Sequence, residues 1–444
     1  MIIYVYILLI YIFNFSICQF TFEFNRDLNL NETMTDDEIF STITYNDLYT
    51  YIKLGTPEKK LKVSISFKDK SLVILGSKIN RKDIFNESNS DTFKILSNEI
   101  NLIKNQLFNG YISEDIIKLN NLKLKINFFL GDEIYKEKYS FDDEYEPINY
   151  SGYLGLALSS FFNQELPDSL PIYLYNNYQY SYNIKSPFSM TFDNSKNLAY
   201  KGKLILNGFP HEYNKLYNEK NYISSTLQNN EDNLDDWCII VDSVYYGNNT
   251  IEKNKKIIFR PEFGVIIVTG NFFNYLTNNY FKEYQQNKIC NSSKLFLIGE
   301  TYNYFYCSKE IDLKKLDNIY FELKEFNFSL SLSKDDLFYE YNNKYYFLLV
   351  SRYYKNNFYV VGSVLMKNYN FVFDKYNRKI GLYTVKSNNK SMVWLFIILI
   401  SVLCLLIITV LIYILWKYFK KPRAQRKNEI NDDFNYNSIE ERIN

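Results

Sequence analysis

Short runs in which apolar and polar residues alternate dominate residues 49–386 of this 444-residue chain. They include LKVSISF, LKLKINFFLG, FSMTF, WCIIVDSVYYG and FYVVGSV, and many of them end in turn signals. Alternation with a period of two is typical of strands that bury one face. Helical periodicity is scarce, and residues 270–283 are one of the better candidates. The sequence therefore predicts a large, mostly β fold.

An uncharged stretch of 25 residues, Met392–Trp416, lies near the C-terminus. As a helix it would exceed the roughly 30 Å hydrocarbon core of a bilayer. The basic cluster KYFKKPRAQRK follows directly and is typical of the cytosolic side of a membrane segment. The sequence predicts a transmembrane helix at 392–416, a juxtamembrane linker at 387–391 and a cytosolic tail at 417–444.

The first 18 residues are also uncharged and apolar, but they are too short to span a bilayer comfortably. They are predicted to be a signal peptide, with a membrane anchor as the alternative because the usual basic start is missing. Together the two ends predict a single-pass type I membrane protein of the secretory or endolysosomal pathway or the cell surface. In the tail, Tyr436 and Ile439 fit a Tyr-x-x-apolar sorting signal, although 43 tyrosines make chance matches common.

Composition argues against several kinds of chemistry. The 51 basic and 50 acidic residues nearly cancel, which gives no reason to expect a nucleic-acid partner. The chain has one histidine, His211, which argues against a Ser-His-Asp or Cys-His enzyme and against a multi-histidine metal site. We therefore predict no metal site and no cofactor.

Cysteines and glycosylation sequons follow from the predicted oxidising compartment. Cys290 and Cys307 are close in sequence and flank a polar loop, so they are predicted to form a disulfide. Cys238 lies in a strand-like run and is predicted to be a buried thiol. The candidate N-glycosylation sites are Asn31, Asn86, Asn248, Asn291 and Asn327.

The segment Phe358–Lys386 (FYVVGSVLMKNYNFVFDKYNRKIGLYTVK) resembles the end of the C-terminal lobe of pepsin-like aspartic proteases. Further landmarks follow in that family's order: YIKLGTP at 51–57, YSGYLGLAL at 150–158, GKLILNGF at 202–209 and WCIIVDSVYYGNN at 237–249. The resemblance implies a bilobal pepsin-like acid protease fold with a peptide cleft between the lobes. It divides the chain into an acidic extension at 19–46, an N-terminal lobe at 47–200 and a C-terminal lobe at 201–386.

The resemblance also implies where the two catalytic aspartates should stand. The first acid falls nine residues after Pro57, on Ser66, where SFK replaces Asp-Thr-Gly. The second falls on Arg260, where RPE replaces the second such triplet, and the flap tyrosine falls on Ile103. Because the mechanism needs both carboxylates, the substitutions predict a protein without the family's catalysis.

Three functions follow from these residues. The favoured one is a membrane-anchored pseudoprotease that binds a peptide or protein in the cleft or on a lobe surface. The first alternative is an active endopeptidase with a degenerate dyad that uses Asp69 or Glu262. The second is a structural cell-surface protein whose cleft is filled by Phe67, Arg260 and Phe263. Arg260 is expected either to pair with Glu262 or Asp69 or to bind an acidic group of a ligand.

Overall fold

The computed structural model describes two stretches of the chain. The first is residues 19–384, apart from 46, 80–82, 103–106, 136–149, 159–165, 194–197, 199, 215–216, 229–235, 298 and 354–356. The second is residues 401–416, apart from 403–404. The chain divides into two compact units, residues 1–386 and 387–444.

The strands of the first unit agree with the prediction of a mostly β fold. In chain order they are β1 (Phe20–Asn25), β2 (Tyr49–Leu54), β3 (Lys59–Ser66), β4 (Leu72–Leu75), β5 (Lys94–Ile95), β6 (Ile100–Leu102), β7 (Leu107–Leu119), β8 (Leu122–Tyr135), β9 (Gly152–Gly155), β10 (Phe188–Phe192), β11 (Lys201–Leu206), β12 (Tyr222–Thr226), β13 (Cys238–Tyr246), β14 (Asn249–Phe259), β15 (Ile266–Val268), β16 (Cys290–Leu297), β17 (Glu300–Ser308), β18 (Ile319–Leu323), β19 (Phe328–Leu332), β20 (Phe338–Tyr341), β21 (Lys344–Phe347), β22 (Leu349–Arg352), β23 (Phe358–Val361), β24 (Phe371–Asp374) and β25 (Lys379–Tyr383).

Helices are short and fewer among the described residues. They are α1 (Asp36–Thr44), α2 (Leu170–Tyr182), α3 (Pro210–Tyr213), α4 (Gly270–Leu276), α5 (Lys282–Gln286), α6 (Lys334–Leu337) and α7 (Ser363–Met366). A π-helical turn, Thr277–Phe281, joins α4 to α5, so the helix predicted at 270–283 is present.

The first sheet has 14 strands, and its main path runs β12-β25-β24-β10-β11-β1-β2-β3-β9-β4-β8-β7-β5 with β6 paired to β7. Most neighbours are antiparallel, but β3 runs parallel to β9 and β4 runs parallel to β8. The last two strands of the unit, β24 and β25, pair with β10 and β12 in this sheet. The end of the unit is therefore tied to strands that lie well before it in the chain.

The second sheet has 11 strands in the order β19-β18-β13-β14-β23-β15-β22-β17-β21-β20, with β16 paired to β17. Here β14 runs parallel to β23, and β15 runs parallel to β22. β3 of the first sheet ends at Ser66, and β14 of the second sheet ends directly before Arg260, so the two predicted acid positions lie at strand ends. Two sheets with this arrangement are consistent with the predicted bilobal fold.

The N-terminal extension, residues 19–46, is part of the fold. β1 lies between β11 and β2, and Phe20, Phe22 and Phe24 are buried while Thr21 and Glu23 are exposed. This alternation is the pattern of a strand that buries one face. α1 begins with a capping box in which Thr35 and Glu38 satisfy each other's backbone amides, so local sequence fixes its start.

The predicted transmembrane segment lies in the second unit and only partly within the described residues. Residues 401–402 and 405–416 are helical. Within the part of the chain that the structure describes, no helix is both long and apolar enough to cross a membrane. The signal peptide, the linker and the cytosolic tail lie outside the described residues.

Phe24 tests whether β1 is integral to the first sheet. Its side chain is 1% exposed, and its ring packs edge-on against Phe192 with centroids 5.1 Å apart. Removing so large a buried side chain costs about 3–5 kcal/mol, so Phe24→Ala should lower the free energy of unfolding by that order. Urea denaturation of the purified chain measures it, with the exposed Glu23→Ala as the control. Equal stability of the two variants would contradict an integral β1.

Candidate functional site at the predicted acid positions

Ser66, at the first acid position, is the last residue of β3 and is buried. Its Oγ accepts hydrogen bonds from the backbone amides of Lys68 at 3.2 Å and Asp69 at 3.1 Å. Its carbonyl accepts from the amide of Leu156 at 2.8 Å, beside the parallel partner strand. The hydroxyl therefore caps the turn that follows the strand, which is a structural role.

Asp69, a candidate replacement acid, belongs to the turn that packs on β9. Its carbonyl accepts from the amide of Ala157 at 2.8 Å. A Cβ at Gly155 would lie 2.5 Å from that same carbonyl oxygen and 2.4 Å from the carbonyl oxygen of Ser71. This close backbone approach holds the turn in place, and it leaves Asp69 three residues beyond the strand end.

Arg260, at the second acid position, follows directly after β14. Its guanidinium forms an ion pair with Asp236, and its Nη1 lies 3.6 Å from Oε1 of Glu262. The side chain of Arg260 is 14% exposed, and those of both partners are 9% exposed. The predicted pairing with Glu262 is present, and Asp236 is a partner that sequence analysis did not find. Asp236 thus offsets the charge of this largely shielded guanidinium, and Glu262 lies close beside it.

Burial also shifts the pKa of the Glu262 carboxyl group. Loss of solvent raises its pKa to about 7, and the positive charge of Arg260 opposes the shift. Its Oε2 is buried and has no hydrogen-bond partner among the described residues. Glu262 therefore binds a proton near neutral pH.

Lys68, in the loop that follows β3, is a second cation near the ion pair of Arg260. Its pKa is lowered, first by loss of solvent and then by the positive charge of Arg260. More than a third of the side chain remains exposed, so water screens the repulsion between the two cations. At the two positions that the family resemblance matches to the acids, the chain has a serine hydroxyl and an arginine.

Phe67 follows Ser66 but does not lie at the ion cluster. It is 1% exposed, and its ring packs edge-on against Phe188 and Phe373 with centroids 5.9 and 5.0 Å away. Trp237 packs against the same two rings, and its Nε1 donates a hydrogen bond to the carbonyl of Leu156 at 2.8 Å. Phe67 is therefore a core residue that packs among aromatic rings.

Phe263 contacts the N-terminal extension instead. Its ring packs edge-on against Tyr45 at 5.8 Å, and the two residues form an isolated antiparallel bridge. The adjacent amide of Gly264 donates to the carbonyl of Thr44 at 2.9 Å. Segment 19–46 therefore contacts the loop that follows β14. Sequence analysis missed this contact.

The other predicted site residues divide into described and undescribed ones. Cys290 and Cys307 form the predicted disulfide, and Cys238 is free and buried. Of the sequon asparagines, Asn31, Asn248, Asn291 and Asn327 are exposed, whereas Asn86 is half-buried. In the described part of the chain, no group of three or more His, Cys, Asp or Glu could hold a metal ion. Ile103, Tyr436 and Ile439 lie outside the described residues.

Comparison with known proteins assigns the family. The family model for eukaryotic aspartyl proteases matches residues 47–385, which is most of the chain. The chain belongs to this family of pepsin-like proteins, and the family resemblance predicted from the sequence is confirmed. None of the curated proteins matches the chain.

The raised pKa of Glu262 predicts how stability depends on pH. The folded state holds this proton up to about pH 7, whereas the unfolded carboxyl releases it near its ordinary 4.5. Between those values the folded state binds more protons, so the free energy of unfolding falls as pH rises. Glu262→Gln should lack this fall, and its stability relative to the wild type should rise by on the order of 1–3 kcal/mol across the window.

Urea denaturation of both proteins from pH 4.5 to 7.5 measures this effect. Glu325→Gln, at an exposed position, is the matched control and should follow the wild type. A stability difference between Glu262→Gln and the wild type that stays constant with pH would show that Glu262 ionises normally.

Proposed function

We propose that this chain is a membrane-anchored, non-catalytic member of the aspartyl protease family that binds a peptide or protein partner. The observation that carries the proposal is the pair of side chains at the acid positions, Ser66 and Arg260. The hydroxyl of Ser66 accepts two backbone amides, and the guanidinium of Arg260 pairs with Asp236. Neither group is free to activate a water molecule.

The chemistry of the family supports this reading. Two carboxylates that share one proton act as base and acid towards water and substrate. An arginine stays protonated in proteins and cannot accept a proton, and an uncharged serine needs a separate base. Loss of both groups of such a catalytic unit reduces turnover by roughly 10⁴- to 10⁶-fold. Any residual hydrolysis would be negligible beside an intact relative.

The alternative with a degenerate dyad depends on Asp69 and Glu262. Catalytic groups must stand within about 0.5 Å of the productive geometry. Asp69 lies three residues beyond the strand end, and Glu262 is buried beside Arg260. This arrangement favours the non-catalytic function over the degenerate dyad.

Binding is the function that a retained fold without the acids supports best. Extended peptides dock on exposed strand edges and loops through main-chain hydrogen bonds, which require no catalytic side chain. The second alternative, a structural surface protein with a closed cleft, finds support in the contact of Tyr45 with Phe263. Against it, Phe67 packs on the core rings of Phe188 and Phe373.

Membrane anchoring is proposed from the sequence. The run Met392–Trp416 contains no charge and is followed by basic residues. This pattern would hold the first unit on the lumenal or extracellular side, with Tyr436 and Ile439 available to sorting machinery in the cytosol.

Catalysis is tested by incubating the purified full-length chain in detergent with a diverse peptide library from pH 3 to 7, with and without pepstatin. We expect no pepstatin-sensitive cleavage, because no carboxylate dyad is present. An active pepsin-like protease, diluted to one part in about 10⁴, serves as the detection control.

Cleavage that pepstatin blocks, and that Asp69→Asn or Glu262→Gln abolishes, would establish the degenerate dyad and overturn the proposal. Cleavage that survives both substitutions would point to a contaminating protease. The same preparation can serve as bait for binding partners, with the Arg260→Ala variant as a parallel bait. A partner that only the wild type captures would depend on the loop that follows β14.

Anchoring is tested in cells by alkaline carbonate extraction. The full chain should stay with membranes, and a chain that ends at Ser391 should be recovered from the medium. A chain that ends at Lys417 keeps the apolar run and is the matched control, so it should remain in the membrane. Recovery of the full chain in the soluble fraction would refute the anchor.

A further inference from the structure

Helix α1 lies on the second sheet through an apolar face. Ile39, Phe40 and Ile43 are 2%, 0% and 0% exposed. The ring of Phe40 stacks on Tyr304 with centroids 3.8 Å apart and planes inclined by 6°, and it also packs on Tyr346 at 6.4 Å. The spacing i, i+1 and i+4 places these side chains on one side of a helix. The surface beneath α1 therefore fits a short amphipathic helix.

The first turn of α1 is acidic, and the sheet supplies matching donors. Nζ of Lys344 donates to both carboxylate oxygens of Asp36 at 2.8 and 2.7 Å, and Oη of Tyr346 donates to Oδ1 at 2.7 Å. Oδ1 of Asp37 accepts from Tyr304 at 2.5 Å and from Ser293 at 3.1 Å. We call Ser293, Tyr304, Lys344 and Tyr346 the helix-binding surface.

The electrostatics of this surface select an acidic helix. Loss of solvent and the adjacent carboxylates raise the pKa of Tyr304 and of Tyr346 above the ordinary tyrosine value, so both hydroxyls remain protonated donors. Hydrogen bonds to ionised carboxylates are shorter and stronger than neutral ones. A helix without carboxylates in its first turn would leave these four donors without acceptors.

The C-terminal end of α1 is held by Arg26, whose burial is unfavourable. Nη2 of Arg26 donates to the carbonyl of Ile43 at 2.9 Å, and Nη1 donates to Oγ of Ser363 at 2.8 Å. Burial lowers the pKa of Arg26 to about 10, and the negative charge of Asp47 is among the influences that oppose this shift. The cost of burying this guanidinium offsets part of the binding at the acidic end.

The acidic end is also the accessible one. The side chain of Lys344 is 40% exposed and that of Asp36 is 24% exposed. An incoming carboxylate can therefore reach Lys344 before α1 has left. The residues beneath Phe40, by contrast, become available only after the helix moves.

We propose that the helix-binding surface is a recognition site for a partner's short amphipathic helix with an acidic first turn, and that α1 occupies it in cis. This inference rests on the proposed binding function and narrows its partner class from extended peptides to helices of this chemistry. Occupation by α1 lowers the apparent affinity for the partner in proportion to the small fraction of chains in which the site is open. α1 therefore shows which chemistry the site binds, and it also competes with the partner helix for that site.

The test uses a fluorescent peptide with the sequence of residues 34–45 and measures anisotropy with the purified full-length chain. Phe40→Ala weakens the docking of α1 and should bind the peptide at least about tenfold more tightly than the wild type does. Thr42→Ala is the matched control, because the Thr42 hydroxyl donates to the carbonyl of Glu38 within the helix. It should bind no more tightly than the wild type.

A charge exchange keeps the proposal falsifiable if Phe40→Ala fails to fold. Lys344→Glu removes the cation at the half-exposed rim, so this chain should prefer a peptide that carries Asp36→Lys over the native peptide. The Phe40→Ala chain should show the opposite preference. Equal binding of both peptides by Lys344→Glu, or no binding to any folded variant, would overturn the proposal. Because peptide capture involves no cleavage, proteolysis in the library experiment would refute the non-catalytic function without deciding this one.

Discussion

The ion pair between Arg260 and Asp236 constrains what the centre of this molecule can do. A guanidinium that is largely shielded from water must be neutralised, and the carboxylate of Asp236 meets that need, with Glu262 close by. Burial raises the pKa of Glu262, so this second carboxyl balances the charge less as pH falls. An aspartate in place of Arg260 would leave Asp236 without its cation and would add a third acid to the group. The charges around position 260 are therefore matched to a cation.

Sequence reasoning reached the family, the mostly β fold and the Cys290–Cys307 disulfide, because alternation and fixed motif order are local signals. It also aligned Ser66 with the end of a strand. It missed Asp236 as the partner of Arg260, because 24 residues separate the two and nothing local signals their contact. Phe67 was suggested as a cleft residue, although its neighbours in an alternating strand and its aromatic contacts direct it into the core.

The N-terminal segment is the clearest case in which a readable signal was overlooked. Phe20-Thr21-Phe22-Glu23-Phe24 alternates as a strand should, and Thr35 with Glu38 forms a capping box. The prediction of an acidic extension rested on the net charge of the segment and used neither pattern. The contacts of Asp36 and Asp37 with the second sheet explain that acidity, because the buried tyrosine hydroxyls and the half-exposed Lys344 donate to these carboxylates.

These contacts also have a consequence for biosynthesis. Asp37 meets Ser293 across 256 positions, Asp36 meets Tyr346 across 310, and Arg26 meets Ser363 across 337. Contacts of such long range form late, after most of the chain has left the ribosome. Until then the apolar face of Ile39, Phe40 and Ile43 has no sheet to cover it. During most of its synthesis the nascent chain therefore exposes an apolar helix face that later contacts will cover, and we expect chaperones to bind this segment.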